Sequence, residues 1–383
     1  MSDSTMPQAG TGPAAAAPRG PAPVPVAAPG AVPAISVVMP VRNEERHLAD
    51  AVREVLSQDY PGDLELVLAV GPSHDRTQEI AERMAAADSR ITVVPNPSGQ
   101  IPSAVNAAIK ASRHSVVARV DGHCLLPPGY LRTAVRALEE TGADNVGGIM
   151  AAEGVTPFQQ AVAWAMTSPA GVGASQFHTG GQPGPADTVY LGVYRRAAIE
   201  RVGGYDEAFL VAEDWEMNHR IRQAGGLIWF LPDLRVTYRP RASTGALARQ
   251  YFHYGRWRRV VARQHAGTIN RRYLAPPAAV LAIAAGTLAG LAGLAGLAAG
   301  VTGSWPAVAT AGFAVPLVYL AGILAVTGMA ARGRPARVTI RLPLVLAAMH
   351  VCWGTGFLTS PASLLTSPAG PGDGRRSGRP VRS

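Results

Sequence analysis

The sequence predicts an α/β protein with a doubly wound mixed sheet, followed by helices that cross a membrane. Between residues 34 and 120, short apolar runs alternate with amphipathic stretches of helical period, an alternation that produces right-handed β-α-β crossovers. After about residue 272 the chain becomes apolar and nearly free of charge. A length of 383 residues accommodates one large globular domain and this additional region.

Four apolar runs predict buried parallel strands, at residues 35–41, 64–70, 91–94 and 115–120. The segments between them predict helices, the first with Leu48, Val52 and Val55 on one face and the others over residues 77–87 and 102–112. Ligands on such sheets bind beyond the carboxyl ends of the strands. The residues that directly follow each strand are therefore the candidates for a functional site.

Composition divides the chain into four parts. Residues 1–33 repeat Pro and Ala, which predicts a disordered tail, because such a segment cannot bury a core. The globular domain is expected over residues 34–260 and the membrane region over residues 261–366. A second disordered tail, rich in Arg, is predicted over residues 367–383.

Three apolar segments lie in the membrane region, at about residues 274–301, 307–330 and 342–358. The first two are long enough to cross a hydrocarbon core of ~30 Å, and glycines at positions 286, 290, 293 and 296 would allow close helix packing. The third is shorter and contains His350 and Trp353. If all three span, the Arg-rich tail ends opposite the globular domain, against the positive-inside rule. The third segment is therefore either re-entrant or interfacial, or the tail breaks that rule.

The formal net charge of +9 comes from arginines that flank the apolar segments, six of them between residues 256 and 272 and four between 332 and 341. This placement predicts contact with anionic membrane lipid and argues against nucleic acid as a partner. Cys124 and Cys352 have no CxxC partner, which fits a reducing compartment. The sequence thus predicts a multi-pass protein of the cell membrane with its globular domain on the cytoplasmic side.

One candidate site follows the fourth predicted strand, where the chain reads Asp121-Gly122-His123. A carboxylate and an imidazole two residues apart can face one pocket and hold a hard divalent cation. The imidazole suits manganese better than magnesium. The alternative is an Asp that caps a turn beside a surface His.

A second candidate is the pair Glu213-Asp214 at the start of a predicted helix. A carboxylate there can act as the general base that deprotonates an incoming hydroxyl, or it can simply favour the helix N-terminus. The chain also reads Gly203-Gly204-Tyr205, which indicates a tight turn.

Taken in order, these motifs resemble family-2 glycosyltransferases, which are inverting, nucleotide-sugar-dependent enzymes of the GT-A fold. The resemblance covers about residues 35–254 and is carried by Pro40-Val41-Arg42-Asn43-Glu44, Ser73-His74-Asp75-Arg76-Thr77, Asn106, Asp121-Gly122-His123 and Glu213-Asp214. With its C-terminal membrane segments the chain is similar to exopolysaccharide enzymes of the succinoglycan type, which act on polyprenyl-linked acceptors.

The resemblance implies a role for each matching residue. Asp214 would be the catalytic base, with Glu213 beside it. Asp121 and His123 would hold Mn²⁺ or Mg²⁺. The implied donor-binding residues are Pro40, Val41, Arg42, Glu44, Ser73, Asp75, Asn106, Arg119 and Asp121. The implied partners are a nucleotide-sugar donor, a lipid-linked or glycan acceptor and membrane lipid, with residues 34–260 as the catalytic domain.

The chain departs from the family pattern at three places. Residues 69–72 read Ala-Val-Gly-Pro, without the carboxylate that contacts uracil in the family, so the nucleotide base is left open. His123 replaces the second Asp of Asp-x-Asp. Only Arg256 and Trp257 remain of the Gln-x-x-Arg-Trp motif of processive synthases. They would contact the diphosphate or the acceptor, or belong to a basic juxtamembrane helix.

Two other functions remain as alternatives. The departures from the motifs would suit a catalytically silent scaffold of a polysaccharide assembly complex. A metal-dependent nucleotidyltransferase would use a similar sheet, but the loop after its first strand is rich in glycine, whereas residues 42–46 contain none. The apolar stretch over residues 155–172 either lies on the membrane surface or forms a core helix.

Overall fold

A computed structural model describes residues 32–365 of the chain. The strands in this part are β1 (Ile35–Val41), β2 (Leu64–Val70), β3 (Ile91–Pro95), β4 (Val116–Arg119), β5 (Asn145–Ala152), β6 (Gly184–Pro185), β7 (Tyr190–Arg195) and β8 (Ile228–Tyr238). They form one sheet in the order β3-β2-β1-β4-β7-β5-β8-β6. β7 runs antiparallel to both of its neighbours, so the sheet is mixed.

The helices of the sheet region are α1 (Leu48–Leu56), α2 (Thr77–Ala87), α3 (Ile101–Ala111), α4 (Tyr130–Thr141), α5 (Pro157–Met166), α6 (Pro169–Val172), α7 (Gln176–Thr179), α8 (Arg196–Arg201) and α9 (Glu213–Gln223). The predicted bounds of β1, β2 and α2 coincide with the observed ones. β3 extends one residue further than predicted, and β4 is one residue shorter at each end.

Apolar side chains cover both faces of the sheet, as a doubly wound sheet requires. On one face Val37, Met39 and Leu68 pack with residues of α1, α2 and α4. On the other face Val38 and Val67 pack with residues of α3, α8 and α9. Burial on both faces explains why the parallel strands are continuous apolar runs.

The remaining helices are α10 (Thr244–Gln264), α11 (Arg271–Ala298), α12 (Trp305–Thr310), α13 (Ala314–Ala330), α14 (Ala336–Thr339) and α15 (Leu342–Leu358). Three helical stretches of the described chain are long and apolar enough to cross a membrane, at Arg271–Ala298, Trp305–Ala330 and Ala336–Leu358. The predicted tail over residues 1–33 lies outside the described residues except for its last two, and the tail over 367–383 lies outside them entirely.

Glycines join α11 to the helices that follow it. A Cβ added at Gly290 would lie 2.6 Å from the ring of Phe313, and one at Gly286 would lie 2.6 Å from the carbonyl oxygen of Gly312. These distances leave no room for a side chain, so the two helical stretches pack backbone to backbone. The outer face of α11 is apolar and open, with Leu288 68% exposed.

The stretch over residues 155–172 forms α5 and α6 rather than one helix. α5 starts with a capping box between Thr156 and Gln159. Its residues Ala161, Val162 and Met166 are buried in a cluster with residues of α10, α13 and α15. α5 is therefore packed against the C-terminal helices.

Candidate active site

The carboxyl ends of β1, β2 and β4 meet in one crevice, because β1 pairs in parallel with the other two. The loops that follow β1 and β2 are linked to each other. The backbone N–H of Asn43 donates to Ser73 Oγ at 3.1 Å, and the N–H of His74 donates to Asn43 Oδ1 at 2.9 Å. Asn43 has a left-handed backbone with φ of 56°. The first of the predicted donor-binding loops is thus shaped by the second.

Asp75 extends this link between the loops. Its carboxylate accepts the backbone N–H of Glu45 at 3.2 Å and that of Thr77 at 3.1 Å. Burial pushes the pKa of Asp75 upward, but the hydrogen bonds from Thr77 and Glu45 outweigh it, and the pKa lies below its ordinary value. Arg42 likewise donates to the carbonyl oxygens of Pro72 and Gly99. The observed partners of these side chains are loop atoms, and contact with a donor stays a prediction.

The Asp-Gly-His motif lies at the same crevice, just beyond β4. His123 Nδ1 lies 2.9 Å from Glu44 Oε1, and this hydrogen bond raises the pKa of His123. Gly122 is packed against β1, where an added Cβ would be 3.2 Å from Val41 Cγ1. Glu44, predicted to line the nucleotide, therefore contacts the imidazole of the candidate metal site.

Asp121, His123 and Cys124 bring potential ligand atoms within 4.8 Å of one another. Burial raises the pKa of the Cys124 thiol to about 12, and Sγ lies 3.5 Å from the hydroxyl of Tyr190. A thiolate prefers softer metals, so a hard divalent cation would be held by the carboxylate of Asp121 and the imidazole of His123. With Nδ1 held by Glu44, Nε2 is the ring nitrogen left for a metal. This donor pair fits Mn²⁺ or Mg²⁺ better than a soft metal.

Arg119 connects this motif to the Glu-Asp pair. Its guanidinium is buried and donates from Nη1 to Asp214 Oδ1 at 2.5 Å and to Glu213 Oε1 at 3.1 Å, and from Nε to Asp121 Oδ1 at 3.3 Å. Desolvation lowers the pKa of Arg119, but the neighbouring carboxylates, Asp214 foremost, raise it well above its ordinary value. Burial raises the pKa of Glu213 to about 7, opposed by Arg119. Arg119 thus binds Glu213 and Asp214, which lie 94 and 95 positions further along the chain.

Tyr205 is a site residue for which the sequence indicated only a turn. Its hydroxyl donates to Asp214 Oδ1 at 2.9 Å. Asn106 holds its backbone from both sides, since Asn106 Nδ2 donates to the Tyr205 carbonyl at 2.8 Å and Oδ1 accepts the Tyr205 N–H at 2.9 Å. Gly203 and Gly204 both have φ of 78°, which brings the chain into this position. The Gly-Gly-Tyr sequence is the signal that could have identified it.

The position of Asn106 bears on its predicted role. Its amide is engaged with Tyr205 and Glu207, at 3.1 Å for the latter. The structure thus shows Asn106 holding the turn that carries Tyr205, and a contact of Asn106 with the donor stays a prediction.

Glu216 and Arg220, both on α9, connect this helix to the segments around it. Glu216 is 1% exposed and accepts from Arg220 Nε at 2.8 Å, while His265 Nε2 lies 3.1 Å from Glu216 Oε1. Arg220 also donates to the carbonyl of Gly204 at 2.7 Å. The helix that begins with Glu213 is thereby fixed to the turn that carries Tyr205.

Arg256 and Trp257 lie on α10. Trp257 is 5% exposed, and its ring centre is 6.2 Å from that of Phe209 in a small apolar cluster beside α9. Trp257 thus supports the loop before α9, and its contact with a diphosphate or an acceptor stays a prediction. The Arg256 guanidinium lies 5.7 Å from the Phe252 ring, and its contact with a diphosphate stays a prediction.

Comparison with known proteins identifies the family. Residues 36–203 match the family model described as Glycosyl transferase family 2. Succinoglycan biosynthesis protein ExoA of Rhizobium meliloti (strain 1021) is 32% identical over 323 residues, which cover 84% of this chain and 93% of that protein. The chain belongs to glycosyltransferase family 2. Glycosyltransferase AglE of Haloferax volcanii is 28% identical to this family-2 chain over 236 residues, or 59% of this chain and 73% of that one.

The fold agrees with this assignment. The mannosyltransferase PcManGT of Pyrobaculum calidifontis, solved in complex with GDP-Man and Mn²⁺, superposes with a TM-score of 0.54 at 18% identity, over 86% of this chain and 88% of that one. The predicted GT-A-like mixed sheet and C-terminal apolar helices are therefore confirmed, and the family-2 chain is a nucleotide-sugar-dependent glycosyltransferase. Nothing in these findings favours the scaffold or the nucleotidyltransferase.

Proposed function

We propose that this glycosyltransferase moves a sugar, with inversion, from a nucleotide-diphosphate sugar to a lipid-linked saccharide during exopolysaccharide synthesis. Residues 34–260 form the catalytic domain and residues 261–366 the membrane region of this proposal. The observation that carries it is the buried Arg119, which joins Asp121 to Asp214 across one crevice. A donor-binding motif and a candidate base are then adjacent, as a displacement at one carbon requires.

Asp214 is the proposed base that takes the proton of the acceptor hydroxyl. Arg119 and Tyr205 both bond its Oδ1 atom, which leaves Oδ2 for the incoming hydroxyl. The side chain is 30% exposed, so a substrate can reach it. These two bonds hold the carboxylate in one orientation, and orientation of the reacting groups is a large part of catalytic acceleration.

The donor side of the crevice comprises the loops after β1 and β2 together with Asp121 and His123. Asp121 and His123 would hold the divalent metal, and Glu44 would orient the imidazole. A metal held there would neutralise the charge that develops on the leaving diphosphate. Pro40, Val41, Arg42, Ser73 and Asp75 are the proposed surroundings of the nucleotide.

The acceptor side comprises Tyr205, Glu213 and Asp214. The apolar helices that follow the domain favour an acceptor presented at a membrane. Arginines on both flanks of these helices favour the cytoplasmic face, where loops carry an excess of basic residues. The relative from Rhizobium meliloti, a succinoglycan biosynthesis protein, supports an exopolysaccharide as the product.

The test is a transfer assay with purified full-length protein. A panel of UDP-, GDP- and dTDP-sugars is supplied with a bacterial lipid extract and Mn²⁺, Mg²⁺ or excess chelator. We expect one donor to label the lipid fraction with metal present, and none to do so with chelator.

Two variants accompany this assay. Asp214→Asn is expected to abolish transfer, whereas Asp233→Asn, which changes an exposed carboxylate on β8, retains it. Normal transfer by Asp214→Asn would contradict the assigned base, and full transfer in chelator would contradict the metal.

A further inference from the structure

The first two apolar stretches form a hairpin. At its far turn an added Cβ on Gly296 would lie 3.0 Å from the ring of Trp305, and nearer the sheet region Gly286 faces Val315. α13 therefore runs back along α11 and ends where α11 begins. A helix of 28 residues is about 42 Å long, sufficient to cross the hydrocarbon core. Two crossings bring the chain back to the side of the catalytic domain.

The segment that enters α15 lies on the catalytic domain. The guanidinium of Arg334 is 5.5 Å from the ring centre of Trp164 on α5. Val338 and Leu342 are buried in the cluster that contains Ala161 of α5 and Leu247 of α10. The N-terminal end of α15 thus contacts the catalytic domain.

The middle of α15 also contacts this domain. His350 Nε2 lies 2.7 Å from the carbonyl oxygen of Ala170, at α6. An added Cβ on Gly255 of α10 would lie 2.0 Å from the carbonyl oxygen of Trp353, and one on Gly356 would lie 2.1 Å from that of Phe252. The backbones of α10 and α15 touch at this crossing, so neither lipid nor a side chain separates them.

The segment that leaves α15 returns to the catalytic domain as well. Arg263 donates to the carbonyl oxygens of Ser360 at 2.8 Å and Pro361 at 3.0 Å, and Ser360 Oγ donates to the carbonyl of Arg256 at 2.9 Å. Leu364 and Leu365 pack against the cluster of Phe209 and Trp257 beside α9. A spanning helix separates its ends by the thickness of the bilayer, whereas both ends of α15 contact one domain.

The outward face of α15 is a single apolar stripe. Leu344, Val351 and Leu358 are exposed by 54%, 39% and 42%, and at about 100° per residue they lie within ~40° of one another. Ile340, just before α15, is 76% exposed. The stretch is also 33% buried within the protein, against 17% and 11% for the two hairpin stretches. Arg337 is exposed at its start. The other faces of α15 are apolar as well, but they pack on the protein, so the stripe is the part left for lipid, and Arg337 beside it favours anionic headgroups.

We infer that α15 does not cross the membrane but lies in its surface, packed against the catalytic domain, with its stripe against anionic lipid. The chain then spans the membrane twice, and residues beyond 365 are on the catalytic side. The arginines at positions 375, 376, 379 and 382 are then on the same side as the other basic segments, in accord with the positive-inside rule. This inference does not depend on the sugar or the acceptor.

Cysteine labelling in intact cells tests the topology. In a Cys352→Ala background, with Cys124 buried, single cysteines replace Ser89 on the catalytic domain, Ser304 at the hairpin turn and Ser377 in the tail. Ser89 and Ser304 are exposed. With a membrane-impermeant maleimide, we expect the cysteine at position 377 to label under the same conditions as that at 89 and opposite to that at 304. Labelling of position 377 together with position 304 would overturn the inference.

Depth measurement tests the lipid surface separately. Leu344→Cys, Val351→Cys and Leu358→Cys carry a fluorophore in vesicles of phosphatidylethanolamine and phosphatidylglycerol, with Leu320→Cys on α13 as the deep control. Depth-dependent lipid quenchers should report similar shallow depths at all three positions of α15. A depth at position 351 that equals the control, with shallower values at 344 and 358, would indicate a spanning helix and contradict the inference.

Discussion

Different contacts hold the donor side and the acceptor side of the crevice in place. On the donor side, Asp75 and Ser73 accept backbone N–H groups of the neighbouring loop. On the acceptor side, Asp214 is held by the side chains of Arg119 and Tyr205. The shape of the donor loops therefore depends on bonds between two adjacent loops, whereas the orientation of the base depends on a buried cation that also contacts Asp121.

Removing the shared cation should affect both sides and give the largest effect. Arg119→Ala leaves Glu213, Asp214 and Asp121 without their common partner in a site where the arginine is 5% exposed. Breaking a buried ion pair costs about 3–5 kcal/mol, so we expect lower thermal stability and loss of transfer. The matched control is Arg53→Ala, whose exposed pair with Asp50 contributes ~1 kcal/mol or less. Equal stability of the two variants would contradict the role of Arg119.

Removing one hydroxyl should affect the acceptor side alone. Tyr205→Phe deletes the hydrogen bond to Asp214, and a bond to a charged group contributes about 1.5–3 kcal/mol, so kcat should fall roughly tenfold or more with little change in the KM of the donor. Steady-state kinetics measure this separation. A change confined to the donor KM would place Tyr205 on the other side of the crevice.

Asn106 should also affect the acceptor side, because it holds the backbone of Tyr205. We expect Asn106→Ala to lower kcat, and its effect in a double-mutant cycle with Tyr205→Phe to be less than additive. Strict additivity, together with a raised donor KM, would favour the donor contact that the family resemblance implies.

The smallest expected effect concerns the protonation of Glu213. Burial raises its pKa to about 7 from an ordinary value of 4.5, so the folded protein holds this proton more tightly than the unfolded chain. The stability that this group contributes therefore falls as the pH rises from about 4.5 through 7. Relative to wild type, Glu213→Gln should become more thermostable between about pH 5 and pH 8. A difference in melting temperature that is constant over this range would contradict the assignment.

The sequence predicts those parts of the fold that local patterns determine. β1 and β2 are largely apolar runs, β1 ending before Arg42 and β2 beginning after Asp63, and α2 lies between polar segments, so their bounds agree with the structure. The Asp-Gly-His and Glu-Asp motifs were identifiable because each is contiguous. The contacts by which Arg119 connects these motifs were not identifiable, since Glu213 and Asp214 lie 94 and 95 residues from it in the chain.

The contact of His123 with Glu44 spans 79 residues and escaped prediction for the same reason. The third apolar stretch illustrates a different limit. Hydropathy depends on composition alone. The mean hydropathy of the third stretch is 1.4, against 2.0 for each hairpin stretch, and the third stretch is still long and apolar enough to span a membrane. Only the contacts at both ends of α15 separate a helix in the membrane surface from one that crosses.

One buried arginine, Arg119, joins the proposed donor-binding motif to the proposed catalytic base. Parallel measurement of donor affinity and kcat for Asp121→Asn and Asp214→Asn, with Mn²⁺ present, tests it most directly. We expect Asp121→Asn to weaken donor binding, and Asp214→Asn to bind the donor as wild type does but to transfer no sugar. Loss of donor binding in Asp214→Asn, or wild-type kcat in that variant, would contradict it.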